Sequence, residues 1–136
     1  MKLQCTLYLS TVGVNLGLFL AIFTLWAIPV SFAISDELAV RCLVGEASGE
    51  GKIGMQAVGE VLRVRDSVGG FYGCNAKHVD SEPEYVWAQA KEAWRDSEFS
   101  NITNSATHFE SINFKPPYWA KGLKIVAIIG KQRFYR

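Results

Sequence analysis

Residues 35–50, SDELAVRCLVGEASGE, begin as a helix and end as a glycine-rich turn carrying two glutamates. Ser35 is a good N-cap, and Asp36 and Glu37 put negative charge into the first turn, where the helix dipole favours it. Leu38, Cys42 and Leu43 or Val44 then recur at helical spacing, which predicts helix 36–46. Gly49 and Gly51 break the regularity that follows. Downstream, Ala57, Val58, Val61 and Leu62 share one face of a second helix, 52–66. Gly69-Gly70 opens a loop that runs to about Asp80. Pro83 suits a first helical position and predicts a third helix, 83–97, with Trp87, Ala90 and Trp94 at i, i+3 and i+7.

After Ser100 the texture changes. Ala106–Glu110 reads as a short strand, Pro116-Pro117 with Tyr118-Trp119 as an aromatic turn, and Lys124–Ile129 with Gln132–Tyr135 as two β-rich runs. Gly130-Lys131 between them is a Gly-X hairpin turn. Helices come first and a small antiparallel sheet last, so the predicted fold class is α+β.

Upstream, residues 1–35 hold no acid and a single base, Lys2, while all 13 acids and 13 bases lie in 36–136. The run from Leu16 to Phe32 is apolar and closes on Ser31-Phe32-Ala33, a small-x-small site of the kind signal peptidase cuts. We expect residues 1–33 to be a signal peptide or a signal anchor, and 34–136 a single exported domain, periplasmic, cell-wall-associated or secreted. A membrane would be touched only through the leader, if it is uncleaved. With a net charge of +1 the whole chain gives bulk electrostatics no hold on nucleic acid. Cys5 lies in the leader. Cys42 and Cys74 are therefore candidates for a disulfide in an oxidising compartment, closing a loop of about 33 residues worth about 3–4 kcal/mol in the chain-entropy description. A buried free Cys42 and a loop Cys74 are the alternative.

The chemistry is sought first in Gly45-Glu46-Ala47-Ser48-Gly49-Glu50. A carboxylate ending an apolar helix is desolvated, which raises its pKa and keeps a proton available for a leaving oxygen. Glycines beside it let a polymeric substrate approach the backbone. The plain alternative is a solvated helix-end Glu46 with Glu50 as a loop charge. His78, Asp80 and Cys74 lack the spacing of a metal site, so no metal is expected. No G-x-S-x-G elbow or phosphate-binding glycine motif is present. His108-Phe109-Glu110 either lines a cleft or alternates along an ordinary strand. Trp87 and Trp94, at helical spacing, read as core.

These residues resemble the cell wall hydrolases of the spore-cortex-lytic enzyme (SleB-like) type. The family's first signature is G-E-A-R-G-E followed by an A-V-rich helix ending in N-R. It corresponds here to Gly45–Glu50, Gly54, Ala57-Val58 and Arg65. The second, A-T-H/Y-F/Y, a P-x-W turn and I-G-x-H-x-F-Y, corresponds to Ala106-Thr107-His108-Phe109, Pro117-Tyr118-Trp119 and Ile129–Tyr135. The match spans nearly all of 37–136. Ser48 replaces an Arg, Val64 an Asn and Gln132 a His, and the family's middle Q-x-F-S segment has no clear counterpart.

The resemblance implies a lysozyme-like domain that acts on peptidoglycan strands without metal or organic cofactor, with Glu46 as its catalytic acid. Glu50, His108, Phe109, Trp119 and Tyr135 are the substrate-contact candidates beside it. The expected reaction is that of a lytic transglycosylase cleaving the MurNAc–GlcNAc β-1,4 bond. A strict muramidase would need a second carboxylate, for which Glu50 and Glu110 are available. A non-catalytic peptidoglycan-binding protein that keeps the fold is the main rival, and an amidase, peptidase or inhibitor using His108 or the cysteines is a further one.

Overall fold

The computed structural model describes residues 33–136; residues 1–32 of the expected leader lie outside them, and only Ala33, the expected last residue of the leader, is described. Helix α1 is Asp36–Ala47, α2 is Gly51–Arg65 and α3 is Glu84–Asp96. Strands β1 (His108–Ser111), β2 (Ile125–Ile129) and β3 (Gln132–Tyr135) follow. Four short 3-10 turns join them, at Ser48–Glu50, Tyr72–Asn75, Lys77–Ser81 and Tyr118–Ala120.

Local chemistry explains the boundaries. Ser35 is extended and its hydroxyl accepts from the Leu38 amide at 3.3 Å, so α1 starts where the cap puts it. Ala47 leaves helical geometry at φ −143°, and Gly51, at φ +67°, lets the chain turn into α2. Asp66 ends α2 in the left-handed conformation, with its amide returned to Leu62 O. Pro83 proves to be the extended residue just before α3 rather than its first helical residue.

Helix α1 is the centre of the described domain. Ala39, Val40, Cys42, Leu43, Val44 and Ala47 are all buried, on more than one face, because α2, α3 and the Tyr72–Asn75 turn all pack on it. Trp94 ties the three helices together. Its indole Nε1 donates to Asp36 Oδ1 at 2.7 Å on α1, and the Arg63 guanidinium of α2 lies 3.7 Å over its ring. Arg63 also donates to Trp94 O and Ser97 Oγ, both at 2.8 Å. Glu60 is buried in α2 and accepts from Ser100 Oγ, from the amides of Ile102 and Thr103 (both 2.9 Å) and from Thr103 Oγ1 (2.6 Å). That carboxylate fixes the chain where it leaves α3 for the sheet.

The sheet has the order β1-β3-β2, antiparallel throughout. Gly130, at φ +56°, makes the two-residue hairpin turn with Lys131. Pairing runs His108↔Tyr135, Phe109↔Phe134 and Glu110↔Arg133 on one side, and Ala127↔Phe134 and Ile129↔Gln132 on the other, with a bulge at Val126. Alternation splits these residues between two faces. Phe109, Phe134, Ala127 and Ile129 pack on the helical core. His108, Glu110, Arg133 and Tyr135 take the opposite face. Among the described residues no helix is long and apolar enough to cross a membrane.

Candidate active site

Glu46 is the next-to-last residue of α1. Its surroundings follow from a close crossing of two backbones. Gly45 lies directly against Gly73 of the Tyr72–Asn75 turn, and a Cβ on either would overlap the other's main chain. Only a glycine pair allows this approach. It brings the Gly73 amide to 2.6 Å from Glu46 Oε1, to which it donates. The carboxyl is half-buried, and its pKa is raised above the ordinary value. Burial is the larger cause, and the Gly73 hydrogen bond partly offsets it. The group thus holds its proton further towards neutral pH than a solvated glutamate, while one oxygen sits in a fixed orientation.

Three other attachments frame this carboxyl. Cys42, four residues earlier and so one turn along α1, is joined by a disulfide to Cys74, the neighbour of Gly73. Arg41 donates from Nε to Cys74 O at 2.9 Å and pairs with Asp80 at 2.7 Å. From the sheet, Gln132 points its Nε2 at the Glu46 carbonyl oxygen, at 3.4 Å. The hairpin is therefore seated against the end of α1.

Glu50 has a different setting. Its Oε2 accepts from the Lys131 amide at 2.8 Å, and its side chain packs so closely on Gly130 that a Cβ there would strike the carboxylate. It fastens the hairpin turn to the start of α2. Ser48 donates to Glu82 Oε1 at 3.1 Å. Glu110 is also engaged, accepting from Tyr135 OH at 2.5 Å and pairing with Arg133 at 3.0 Å, with 11% of its side chain exposed. Tyr135 is raised in pKa by its burial, then by Glu110.

His108, Trp119 and Tyr135 form one aromatic group on the outer sheet face. The His108 and Trp119 rings are 5.1 Å apart, and Trp119 meets Tyr135 edge-on at 5.6 Å. Burial, and then the charge of Arg65, lower the His108 pKa. Thr107 Oγ1 lies 2.8 Å from its Nδ1. Phe109 is on the inner face instead, with its ring 5.6 Å from Phe71 and 5.9 Å from Phe134. The expected sugar contacts are thus divided: Glu50 and Phe109 belong to the side that meets the helices, and His108, Trp119 and Tyr135 to the other.

The reading of the sequence missed Gly73 and Gln132 as neighbours of Glu46. A glycine directly before a cysteine whose bridging partner lies one turn ahead of Glu46 was the available signal for Gly73. Among the described residues no group of three or more His, Cys, Asp or Glu side chains gathers to hold a metal ion.

No protein-family profile matches the chain, and no curated protein does. Two solved structures are similar in fold. One is the catalytic domain of the Bacillus cereus SleB protein, with 21% identity and a TM-score of 0.57, covering 74% of this chain and 88% of that one. The other is the catalytic domain of the germination-specific lytic transglycosylase SleB from Bacillus anthracis, with 21% identity and a TM-score of 0.55, covering 76% of this chain and 96% of that one. The helices, the hairpin and their order in this chain thus compose the fold of a SleB catalytic domain.

Proposed function

We propose that the protein is an exported peptidoglycan glycosidase of the lytic transglycosylase kind, with Glu46 as its single acid and base. The observation that carries the reading is the state of Glu46: half-buried at a helix end, raised in pKa, and held through one oxygen by the Gly73 amide. Such a carboxyl has one oxygen oriented and the other available for proton transfer. The fold shared with the SleB catalytic domains supports a glycan substrate.

In this mechanism Glu46 protonates the glycosidic oxygen between N-acetylmuramic acid and N-acetylglucosamine. The substrate's own acetamido group stabilises the oxocarbenium-like centre in place of a protein nucleophile. Glu46, now a carboxylate, takes the proton of the muramyl C6 hydroxyl, whose oxygen closes on C1 to leave an anhydro end. Burial raises its pKa and so favours the protonated acid that starts the cycle, while the Gly73 bond partly offsets that rise.

Strict hydrolysis is less well supported. It needs a second carboxylate to activate water or to form an ester. Glu50 is engaged by the Lys131 amide, and Glu110 by Tyr135 and Arg133. Glu50 fits a positioning role, holding the hairpin, and Trp119 and His108 offer stacking surface on the outer sheet face. Residues 1–33 would deliver the domain to the cell wall.

The test is the loss of turbidity of purified peptidoglycan on incubation with the full chain, beside Glu46→Gln. Clearance by the wild type and none by a folded Glu46→Gln supports the reading. Equal clearance by both removes Glu46 from it. Glycan binding by both with clearance by neither would favour a wall-binding protein.

A further inference from the structure

The Cys42–Cys74 bridge and the Gly73–Glu46 hydrogen bond are two rungs between the same pair of segments. On α1 the attachment points are four residues apart, one helical turn, and so lie on one face. On the facing turn they are adjacent residues, Gly73 and Cys74. The covalent rung is buried, with Cys42 fully enclosed and Cys74 3% exposed. Between the rungs the two chains are in backbone contact at Gly45 and Gly73. The Tyr72–Asn75 turn packs on α1 and follows the buried Phe71, but the local geometry at Gly73 has no other tie to α1 of its own. It is a single 3-10 turn with no side-chain cap, and the Tyr72 side chain is exposed. Arg41, which reaches Cys74 O, supplies a second and non-covalent hold.

We propose that Cys42 and Cys74 are positioning residues for Glu46: their bridge keeps the Gly73 amide on Oε1 and so holds the carboxyl in its working orientation. This assigns the disulfide a role in the reaction beyond general stabilisation, and it rests on the reading of Glu46 as the acid. Without the bridge the 3-10 turn keeps only non-covalent holds on α1, Arg41 on Cys74 O and the packing of Phe71, and these allow small shifts of the Gly73 amide. Glu46 then loses its fixed donor and gains water. Displacement of a reacting group by about 1 Å is enough to cost on the order of a hundredfold in rate.

The test compares the full-length wild type with Cys42→Ala/Cys74→Ala, at a temperature well below the melting point of each. Two readings are taken. The first is kinetic: kcat should fall by about tenfold or more while KM stays within about twofold, because the acid is misplaced and the glycan surfaces are not. The second does not depend on turnover. In the wild type the Gly73 amide resonance should titrate with the Glu46 carboxyl, and Glu46→Gln should abolish that titration. The other nearby carboxylates have different partners: Glu50 the Lys131 amide, Glu82 the Ser48 hydroxyl and Asp80 the Arg41 guanidinium. In the double variant the Gly73 titration should be lost.

A folded double variant with an unchanged Gly73 titration and kcat within twofold of wild type overturns the proposal. Loss of the Gly73 titration in a protein that never cleaves glycan would sustain the positioning of Glu46 and sink the catalytic reading instead. Should the double variant not fold, the same readings are taken on wild type reduced with dithiothreitol. The reagent closes into its own disulfide as two electrons and two protons pass to the cysteine pair. Reoxidation with glutathione disulfide, which is itself reduced to two thiols, should restore both readings. If loss of the bridge simply unfolds the chain by either route, it staples the whole domain, and the proposal fails.

Discussion

Replacing Gly45 with alanine sets two well-known effects against each other, and the structure says which wins. Gly45 is inside α1, where alanine is favoured over glycine by about 1 kcal/mol, so helix propensity alone predicts a more stable protein. The added Cβ, however, would fall on the carbonyl group and Cα of Gly73. Those are main-chain atoms, so no rotamer change relieves the contact. The segment is also held by the Cys42–Cys74 bridge and by Arg41 on Cys74 O, which oppose a retreat. Inserting a group into a packed site costs about 1–3 kcal/mol even where side chains can adjust, and an unyielding neighbour puts this case at or beyond the upper end. Gly45→Ala should therefore destabilise by about 2 kcal/mol net. For a domain of about one hundred residues this lowers Tm by roughly 8–15 °C. Calorimetry or thermal circular dichroism reads it directly. Activity at a temperature where the variant is folded should also drop, because relief of the overlap moves the Gly73 amide off Glu46. An unchanged or raised Tm would refute the close crossing of α1 and the Tyr72–Asn75 turn, and with it the environment described for Glu46.

Other consequences are as direct. Glu60→Gln leaves one buried backbone amide facing an NH2 group, so urea unfolding should show a loss of about 1–3 kcal/mol; a change below about 0.5 kcal/mol would mean that the clamp on Ile102 and Thr103 is unimportant. The Glu60 pKa is lowered, because hydrogen bonds from Ser100, Thr103 and Ile102 together outweigh the opposing desolvation, which is the largest single effect. Its stabilisation is therefore present above the unfolded-state pKa and is lost as pH falls through the folded value; urea midpoints of wild type and Glu60→Gln should converge in acid. Glu46 has the opposite sign. Its raised folded pKa favours the native state below the unfolded value, and that advantage is lost as pH rises through the folded value. Glu46→Gln should accordingly gain on wild type in stability as the pH is raised from acid to neutral, and parallel curves would contradict its burial. Glu50→Gln keeps an oxygen for the Lys131 amide and should retain activity within a few-fold, whereas Glu50→Ala should lose it; if Gln and Ala are equally inactive, Glu50 is a catalytic carboxylate and the reaction is hydrolysis.

Much of this was legible in the chain because it depends on local chemistry. Ser35 before two acids starts α1, Gly130-Lys131 between two β-rich runs makes the hairpin, and the change of texture after Ser100 separates helices from sheet. The short 3-10 turns at 72–75 and 77–81 have no periodicity to announce them, and the loop expected there hid the donor that faces Glu46. β1 begins at His108 and not at Ala106, because Thr107 enters the sheet only through its amide on Tyr135 O. The sequence left His108-Phe109-Glu110 open between a cleft lining and an ordinary strand; that Phe109 meets the helices and His108 does not is decided by Phe71 and Phe134, far away in sequence. The engagement of Glu50 by Lys131 and of Glu110 by Tyr135 and Arg133 are tertiary facts of the same kind. A carboxylate in a sequence is a possible acid; its neighbours in space decide whether it is free to act.

The central claim is that Glu46 alone serves as acid and base on a peptidoglycan strand. It is tested most directly by mass spectrometry of the soluble products released from purified peptidoglycan by the full chain, run beside Glu46→Gln. The account predicts muropeptides ending in anhydro-muramic acid from the wild type, and none from the variant. Reducing-end products would contradict it by making the reaction hydrolysis, and anhydro products from a folded Glu46→Gln would contradict the assignment of the acid.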